Sequence, residues 1–579
     1  MRKEFLHMKM INKYGGKLVK ILLFLIACFT LVDTRLFIYP SLSYSLLAGI
    51  TTDMTIILIA IWGYSKKIRC NSIMFIFCIA WIVYIFIHLL MIKYADYYRG
   101  YYLINSILYA MCIALSLKAN IIKWNEIENC IILFSILGIL CVCLQYIGIF
   151  QSENPYIVAT GVYDNPSSSA IWLVGASIII FERIFLIKSR MLCIVQIALL
   201  GTIILLQCRT AWVGELFVLG FYLLKMIKHG CYIKRYVILS YCIFTSFVFL
   251  ISWHIKPASS QSRAFIWKNS IELIKKNHIG YGYGLFEKYY NLQQSEYFKT
   301  GKGDVTEKEN ANFVSMPYND YIESTIEGGV VGGIFYSLFY ILMIYFSVIS
   351  RNRQCLVCGG VFCIMATINF IYTSVGIWLL VLTFWGYAMS KEECKKKVGL
   401  VVVPYTCVLI MSMGLLVGIE SSKYLYSQLQ LTSLHKFLKE DKIVDLCLLK
   451  SLKNDIGTSE VYYTDLGKNY FLAGDYNNAI YSLKKASEYT SAPIVFYLLW
   501  QSYVKVGDYK KAFQAMSILE NMQPILLTPK LCILKTYSLL GDKINVRKYA
   551  DIILKTKIKV PNEEALYIKK VALWYKLNF

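Results

Sequence analysis

Charge is what this sequence has least of. Only 17% of the 579 residues are Asp, Glu, Lys or Arg, while 57% are hydrophobic. That balance excludes an ordinary soluble globular chain. Acidic residues are scarcer still, 36 against 60 basic ones, which leaves a net charge of +24. The eighteen cysteines form no disulfide framework. Most lie inside apolar runs, the stretch 256–325 has none, and residues 420–579 hold only Cys447 and Cys532. Cys355-x-x-Cys358 has no second pair, so packing explains it better than a metal. The first apolar run lacks a small-residue cleavage site after a short core. It reads as a retained helix and not as a secretory leader.

What is abundant is apolar runs of about 20 residues, the length that crosses a bilayer as a helix. Thirteen candidate spans precede residue 420: 18–38, 45–63, 72–92, 101–117, 127–149, 169–187, 191–207, 211–227, 236–255, 326–349, 355–372, 374–390 and 399–419. With the N-terminus placed in the cytoplasm, the short inside segments carry 24 Lys/Arg. The short outside turns carry three, namely Lys93, Arg99 and Arg209. So strong a bias fixes orientation. It puts the long loop 256–325 and everything beyond 420 on the outer face. Much of the positive charge is thereby a topology signal, and no nucleic-acid role is needed.

The loop region is the one long hydrophilic interruption of the membrane part. It contains Ser262-Arg263 with Trp267-Lys268, then Gly280-Tyr281-Gly282-Tyr283-Gly284. It closes with Pro317-Tyr318-Asn319-Asp320-Tyr321-Ile322 and Glu327-x-Gly329-x-x-Gly332. Arg263 is its only arginine, and a guanidinium presents a planar fork suited to phosphate oxygens. Arg209 stands at the outer junction of two apolar spans, on the same side as Arg263. Two arginines converging at one membrane face suit a pyrophosphate; pairing with Glu215 or with lipid headgroups is the plainer alternative for Arg209. Arg35, near the outer end of the first span, is a further candidate anion ligand, unless it snorkels. The pattern predicts a helix around Arg263–Asn277, with Ile266, Ile271 and Ile274 on its apolar face, and another from Asn319. The outer turn Thr160 to Ser168 carries Asn165-Pro166 ahead of a helix, with serines able to cap it.

Beyond residue 420 the chain becomes polar and repetitive. Gly474-Asp475-Tyr476, Gly507-Asp508-Tyr509 and Gly541-Asp542-Lys543 recur at spacings of 33 and 34, the period of tetratricopeptide repeats. Tyr470, Tyr503 and Tyr537 each precede a glycine by four positions, and Ala479 and Ala512 follow by five. Such an array presents a binding groove and does no chemistry.

Over residues 155–390 these motifs together resemble the O-antigen ligase and polymerase superfamily of bacterial inner-membrane glycosyltransferases. The carriers are the Gly161 to Ser167 turn, the Arg209 junction, Ser262-Arg263 with Trp267-Lys268, the Gly-Tyr-Gly-Tyr-Gly run, and the Asn319 and Glu327 motifs. The repeats resemble those some members append. The resemblance implies an all-α polytopic bundle of about 13 spans (1–419) with an outer repeat domain (420–579). It implies transfer of a glycan from undecaprenyl pyrophosphate to an acceptor hydroxyl at the periplasmic face, with no metal, nucleotide or other cofactor. Arg209 and Arg263 would hold the pyrophosphate as the anomeric bond breaks. Asn165, Trp267, Lys268, Asn319 and Tyr321 would contact substrate, with Arg35, outside the resembling stretch, kept as the further candidate anion ligand named above. Ligases of this family usually place His directly before the Asn of the last motif; here that position is Tyr318. Tyrosine is a poor base at neutral pH, so Asp320 and Glu327 stand as alternative proton acceptors.

Three acceptors remain open: a lipid A core, the growing glycan, or Ser/Thr of a protein. The repeat groove adds a possible protein partner. In a different class, a lipid-linked-sugar transporter or a membrane-anchored repeat scaffold competes. A transporter is expected to show internal repeats or paired broken helices among its spans, and the sequence shows neither.

Overall fold

The computed structural model describes residues 2–29, 47–59, 69–70, 72–92, 97–152, 157–226, 241, 257–391, 400–401, 404–558 and 562–579. Arg35 and the expected span 236–255 lie outside the described residues.

Backbone polar groups inside a bilayer must pair within their own segment, so apolar runs of this length become helices. They do so as α1 (Arg2–Phe29), α2 (Leu47–Ile59), α3 (Ser72–Met91), α4 (Tyr97–Lys118), α5 (Trp124–Ile147), α6 (Pro166–Ile187), α7 (Arg190–Leu205) and α8 (Arg209–Met226). The hydrophilic insert folds as α9 (Pro257–Lys276), α10 (Phe286–Lys299) and α11 (Val305–Asn310). The chain then re-enters the bundle as α12 (Asp320–Ile349), α13 (Arg353–Met365) and α14 (Val375–Lys391). Among the described residues the only extended pairing is antiparallel, Arg69–Cys70 against Leu400–Val401. By length and composition α3, α4, α5, α6 and α12 can each cross a membrane; α2, α7, α13 and α14 are shorter apolar helices. The protein is an all-α membrane protein.

Burial separates the centre of the bundle from its rim. In α4, 89% of the apolar window is buried inside the protein, against 28% in α5. Helix α4 is therefore the axis, packed along α14, and α5 turns most of its surface outward. Between helices in lipid, tight packing replaces the hydrophobic drive. Stacked rings supply much of it here: Phe339 on Trp385 at 4.3 Å, and Trp124 on Tyr387 at 3.7 Å. Among the described residues, Arg183, Arg351, Arg353 and Lys391 gather at the end opposite the insert. There Arg183 pairs with Glu128 at 2.7 Å and Lys225 with Glu182 at 3.2 Å.

Two expectations need correction. The apolar run 355–372 is not one helix: α13 stops at Met365, and residues 366–374 form a loop. In α9 it is Ile266 and Leu273 that are buried, while Ile271 is 47% exposed. The apolar stripe is thus set by Leu273 and not by Ile271.

Helix α15 (Pro404–Lys439) runs without interruption through residues 419 and 420. After α16 (Leu446–Ser451) and α17 (Lys453–Ile456) come three helix pairs. These are α18 (Glu460–Leu472) with α19 (Tyr476–Ala486), α20 (Pro493–Val506) with α21 (Tyr509–Met522), and α22 (Leu527–Leu539) with α23 (Lys543–Lys555), followed by α24 (Glu563–Asn578). Each second helix is capped by the recurring aspartate. Asp475, Asp508 and Asp542 accept from the N–H of Asn478, Lys511 and Asn545 at 3.1–3.2 Å, satisfying an orphan donor of the first turn. Ala479, Ala512 and Val546, each five residues past the glycine, have no exposed surface. They lie where the paired helices press together.

Candidate active site

The loop 366–374 joins the separate motifs of the insert end. Asp320 at the start of α12 grips it from both sides of its own residue. Its N–H donates to the Ala366 carbonyl at 2.9 Å, and its Oδ2 accepts the N–H groups of Ile371 and Tyr372 at 2.8 and 3.1 Å. The Tyr336 hydroxyl donates to the same oxygen at 2.7 Å. Asn369 Nδ2 donates to Thr210 Oγ1 at 3.1 Å, tying the loop to the first turn of α8 beside Arg209.

Arg263 reaches this loop from α9. Its Nη1 donates to the Ile368 carbonyl at 2.6 Å, and its guanidinium stacks 4.9 Å from the centre of the Tyr318 ring. Burial, and then the nearby charge of Arg209, pull the Arg263 guanidinium below its ordinary value. Arg209 itself donates to Ser260 on α9 at 3.4 Å. Among the described residues no carboxylate lies within ion-pair distance of Arg263. Two guanidiniums close enough to repel, one half-buried and lacking a carboxylate, make a site that an anion would relieve. Tyr318 holds its ring there at the expense of its backbone, with φ at 55° in the left-handed region. That conformation is unusual for a bulky residue and costs on the order of 1–3 kcal/mol. The Trp267 Nε1, donating to the Pro317 carbonyl at 2.9 Å, fixes the turn just before it.

The two glycine motifs turn out to be two halves of one clasp. Helix α12 breaks at Gly329, where φ is 67° and ψ −176°. A break frees carbonyls and an N–H that must find new partners. The loop after α9 supplies them: Tyr281 N–H donates to the Ile326 carbonyl, Gly282 N–H to the Glu327 carbonyl, and Val330 N–H to the His278 carbonyl, all at 2.9–3.0 Å. A Cβ at Gly280 would run into the backbone at Gly329, and one at Gly329 into the Ile279 carbonyl. From α3, Tyr84 bonds the Gly328 carbonyl and His88 Nε2 lies 3.0 Å from the Ile279 carbonyl. The clasp therefore anchors the insert to the bundle.

Arg99 was not singled out by the sequence beyond its place in an outer turn. It comes from the first turn of α4 to within 3.7 Å of Glu323 and lies over the rings of Tyr372 and Tyr102 at 5.0 and 5.3 Å. Tyr102 in turn donates to the Tyr372 carbonyl at 2.8 Å. Glu327, 2% exposed, accepts from the Tyr372 hydroxyl at 3.3 Å. The sequence signal available was a charge at the mouth of the most buried of the five bilayer-length helices.

Other nominated residues have structural tasks. Asn165 caps α6 by accepting from Ser167 N–H at 2.8 Å, and Asn319 caps α12 by accepting from Tyr321 and Ile322 N–H at 3.0 and 3.1 Å. The Tyr321 hydroxyl donates to the Cys363 carbonyl at 3.2 Å. Lys268 stands apart from Arg263, five residues and roughly 140° further round α9. It is exposed and bonded to Glu307 and Tyr297 at 2.8 and 2.9 Å. Asp320, with no exposed surface, is sealed beneath the loop it holds.

Helix α10, which the sequence did not single out, joins the insert to the helix pairs. Glu287 accepts from Thr490 Oγ1 at 2.8 Å and Ser491 N–H at 3.1 Å, and from the Ser491 hydroxyl. Lys288 donates to the Glu488 carbonyl at 2.6 Å, Gln294 to the Met522 carbonyl at 2.7 Å, and Ser295 to the Ile518 carbonyl at 3.0 Å. Leu292 and Phe313 pack into the core of the pairs. The repeats are thus built onto the segment that carries Arg263.

No curated protein and no solved structure matches the chain. Residues 156–337, from the turn before α6 through Arg209, Arg263 and Tyr318 to the clasp, match the family model described as O-antigen ligase. That stretch, and not the chain as a whole, is therefore what is similar to the O-antigen ligase family.

Proposed function

We propose that the protein moves a glycan from a polyprenyl pyrophosphate to an acceptor hydroxyl, at the insert end of a bundle that lies in the bacterial cytoplasmic membrane with this end facing outward. A glycan-transfer type of membrane enzyme follows from the O-antigen ligase domain; the donor, the acceptor and the residue roles are our reading. The observation that carries it is the pair Arg209 and Arg263 beside Tyr318, inside the family-matched stretch. The diphosphate binds between the two guanidiniums, which offset its charge as the bond from the anomeric carbon to the phosphate oxygen breaks. The acceptor oxygen forms the new bond to that carbon, its proton passes to the departing pyrophosphate, and Tyr318 orients the acceptor over Arg263. Asp320 and Glu327 act by holding the loop 366–374 and the clasp in place. The C-terminal pairs are a tetratricopeptide-like array whose first duty is to brace the insert.

The test is Arg263→Ala in a strain deleted for the gene. Surface glycan should vanish while protein level in the membrane stays normal. Normal glycan in that strain would overturn the assignment. In the deletion strain, single unpolymerised units, long unligated chains or underglycosylated proteins identify the acceptor as glycan, lipid core or protein respectively.

A further inference from the structure

We infer that a second saccharide-binding site lies in the seam between the first turn of α4, the middle of α15 and the stretch from α17 into the first turn of α18. A groove of about 450 Å³ opens there, lined among others by Tyr97, Tyr101, Tyr463, Glu420, Asn454 and Thr458. Its size is in the range of small-ligand clefts. The transfer reading supplies only the identity of the glycan; the groove itself rests on its own chemistry.

That chemistry is selective. Sugar rings present C–H faces that lie on aromatic side chains, and hydroxyls that are read by carboxylates, amides and hydroxyls. This groove offers rings from two parts of the molecule, with Tyr97 38% exposed at its mouth. Around them stand the carboxylate of Glu420, the amide of Asn454 and the hydroxyl of Thr458, which can accept and donate to ring hydroxyls. A phosphate headgroup is disfavoured, because Lys453 is the one cation in the lining and stands beside Asp455, while Lys423 is already paired with Glu420 at 2.8 Å. A lipid tail is disfavoured by the same polar groups.

The walls are fixed before any ligand arrives. Tyr98 stacks on Tyr424 at 5.0 Å with 19° between the rings, and Ser427 Oγ donates to Asp455 Oδ2 at 2.6 Å. Tyr463 is held by Tyr489, nearly parallel at 6.0 Å. Preorganised rings bind with little ordering cost. The groove also sits next to the site described above. Tyr98 and Tyr101 flank Arg99 in one turn of α4, and Arg99 leans the other way, over Tyr372.

The test uses the full chain in lipid nanodiscs. The probe is the producing cells' own surface polysaccharide, released by mild acid and sized to short oligosaccharides. Saturation-transfer NMR should show binding to the wild type. Tyr463→Ala should weaken it at least tenfold, and Tyr463→Phe, which keeps the ring, should bind like the wild type. Where Tyr463→Ala unfolds, Tyr97→Ala at the surface replaces it, with the same loss expected. A wild type that binds no oligosaccharide overturns the inference, as do groove variants that bind normally. So does displacement of the probe by a polypeptide and by no sugar. Arg263→Ala is measured alongside and should retain binding. Normal surface glycan in that strain together with a binding groove sinks the transfer reading and leaves the groove standing. Lost glycan with unaltered binding in the groove variants does the reverse.

Discussion

Arg263 Nη1 donates to the backbone carbonyl of Ile368 at 2.6 Å. The bond joins the insert to a loop that hydropathy alone reads as the end of a span. A lysine cannot both take that carbonyl and stack on Tyr318 while offering further donors to an anion. Arg263→Lys should therefore lower transfer by about 10²-fold or more, close to the loss in Arg263→Ala. The check is turnover of lipid-linked glycan by purified protein, with bilayer-inserted protein levels equal in all three.

Asp320 predicts a different kind of defect. Replacing it with Ala leaves the N–H groups of Ile371 and Tyr372 and the Tyr336 hydroxyl without their acceptor. Stranded buried donors cost about 1–3 kcal/mol each. Asp320→Ala should lower thermal stability in detergent by about 3 kcal/mol or more, and activity should fall with the amount of folded protein. An Asp320→Ala variant with wild-type stability and no activity would place the carboxylate in the chemistry instead.

The hydroxyl of Tyr318 can be separated from its ring. Tyr318→Phe keeps the stack on Arg263, 4.9 Å away, and deletes only the oxygen. If the hydroxyl orients the acceptor, turnover should drop by about 10-fold to 10²-fold, with donor affinity unchanged. Equal turnover in Tyr318→Phe would show that the ring alone is used.

How much of this was legible beforehand depends on what each signal measures. Hydropathy found the helices because bilayer-length apolar runs have no other stable form. The same measure misread residues 366–372, Ala-Thr-Ile-Asn-Phe-Ile-Tyr, as the end of a span. A loop folded into the protein hides apolar side chains as well as a helix does; Asn369 was the one sign that its backbone turns. The glycine motifs were visible as patterns. That Gly280 and Gly329 fit against each other was not, since nothing local links positions 49 residues apart. Arg99 was counted as a cation of a short turn because the count ignores where a side chain leans. The repeat period was plain at Gly474, Gly507 and Gly541, yet the contact of Glu287 with Ser491 joins two segments, neither of which shows a motif for it.

That contact gives the last prediction. Burial raises the Glu287 carboxyl above its ordinary value, against the pull of the Ser491 and Thr490 donors. A carboxyl raised in the folded state contributes stability that is complete below its unfolded value and is lost as pH rises through the folded one. Docking of α10 on the helix pairs should therefore tighten on acidification from neutrality toward the ordinary carboxylate range. Hydrogen exchange over residues 286–299, corrected for the intrinsic rate, should slow relative to α14 as pH falls. Glu287→Gln, neutral at every pH and still able to accept from Ser491, should reduce the pH dependence to the part carried by Glu460, which burial and the charge of Glu287 push up to about 7, while keeping most of the protection. Glu287→Ala should lose about 1–3 kcal/mol of docking stability at any pH by stranding those donors. If the wild type and Glu287→Gln show the same pH profile, another group governs the interface. If Glu287→Ala leaves exchange unchanged but still lowers transfer, the bracing role given to the repeats fails.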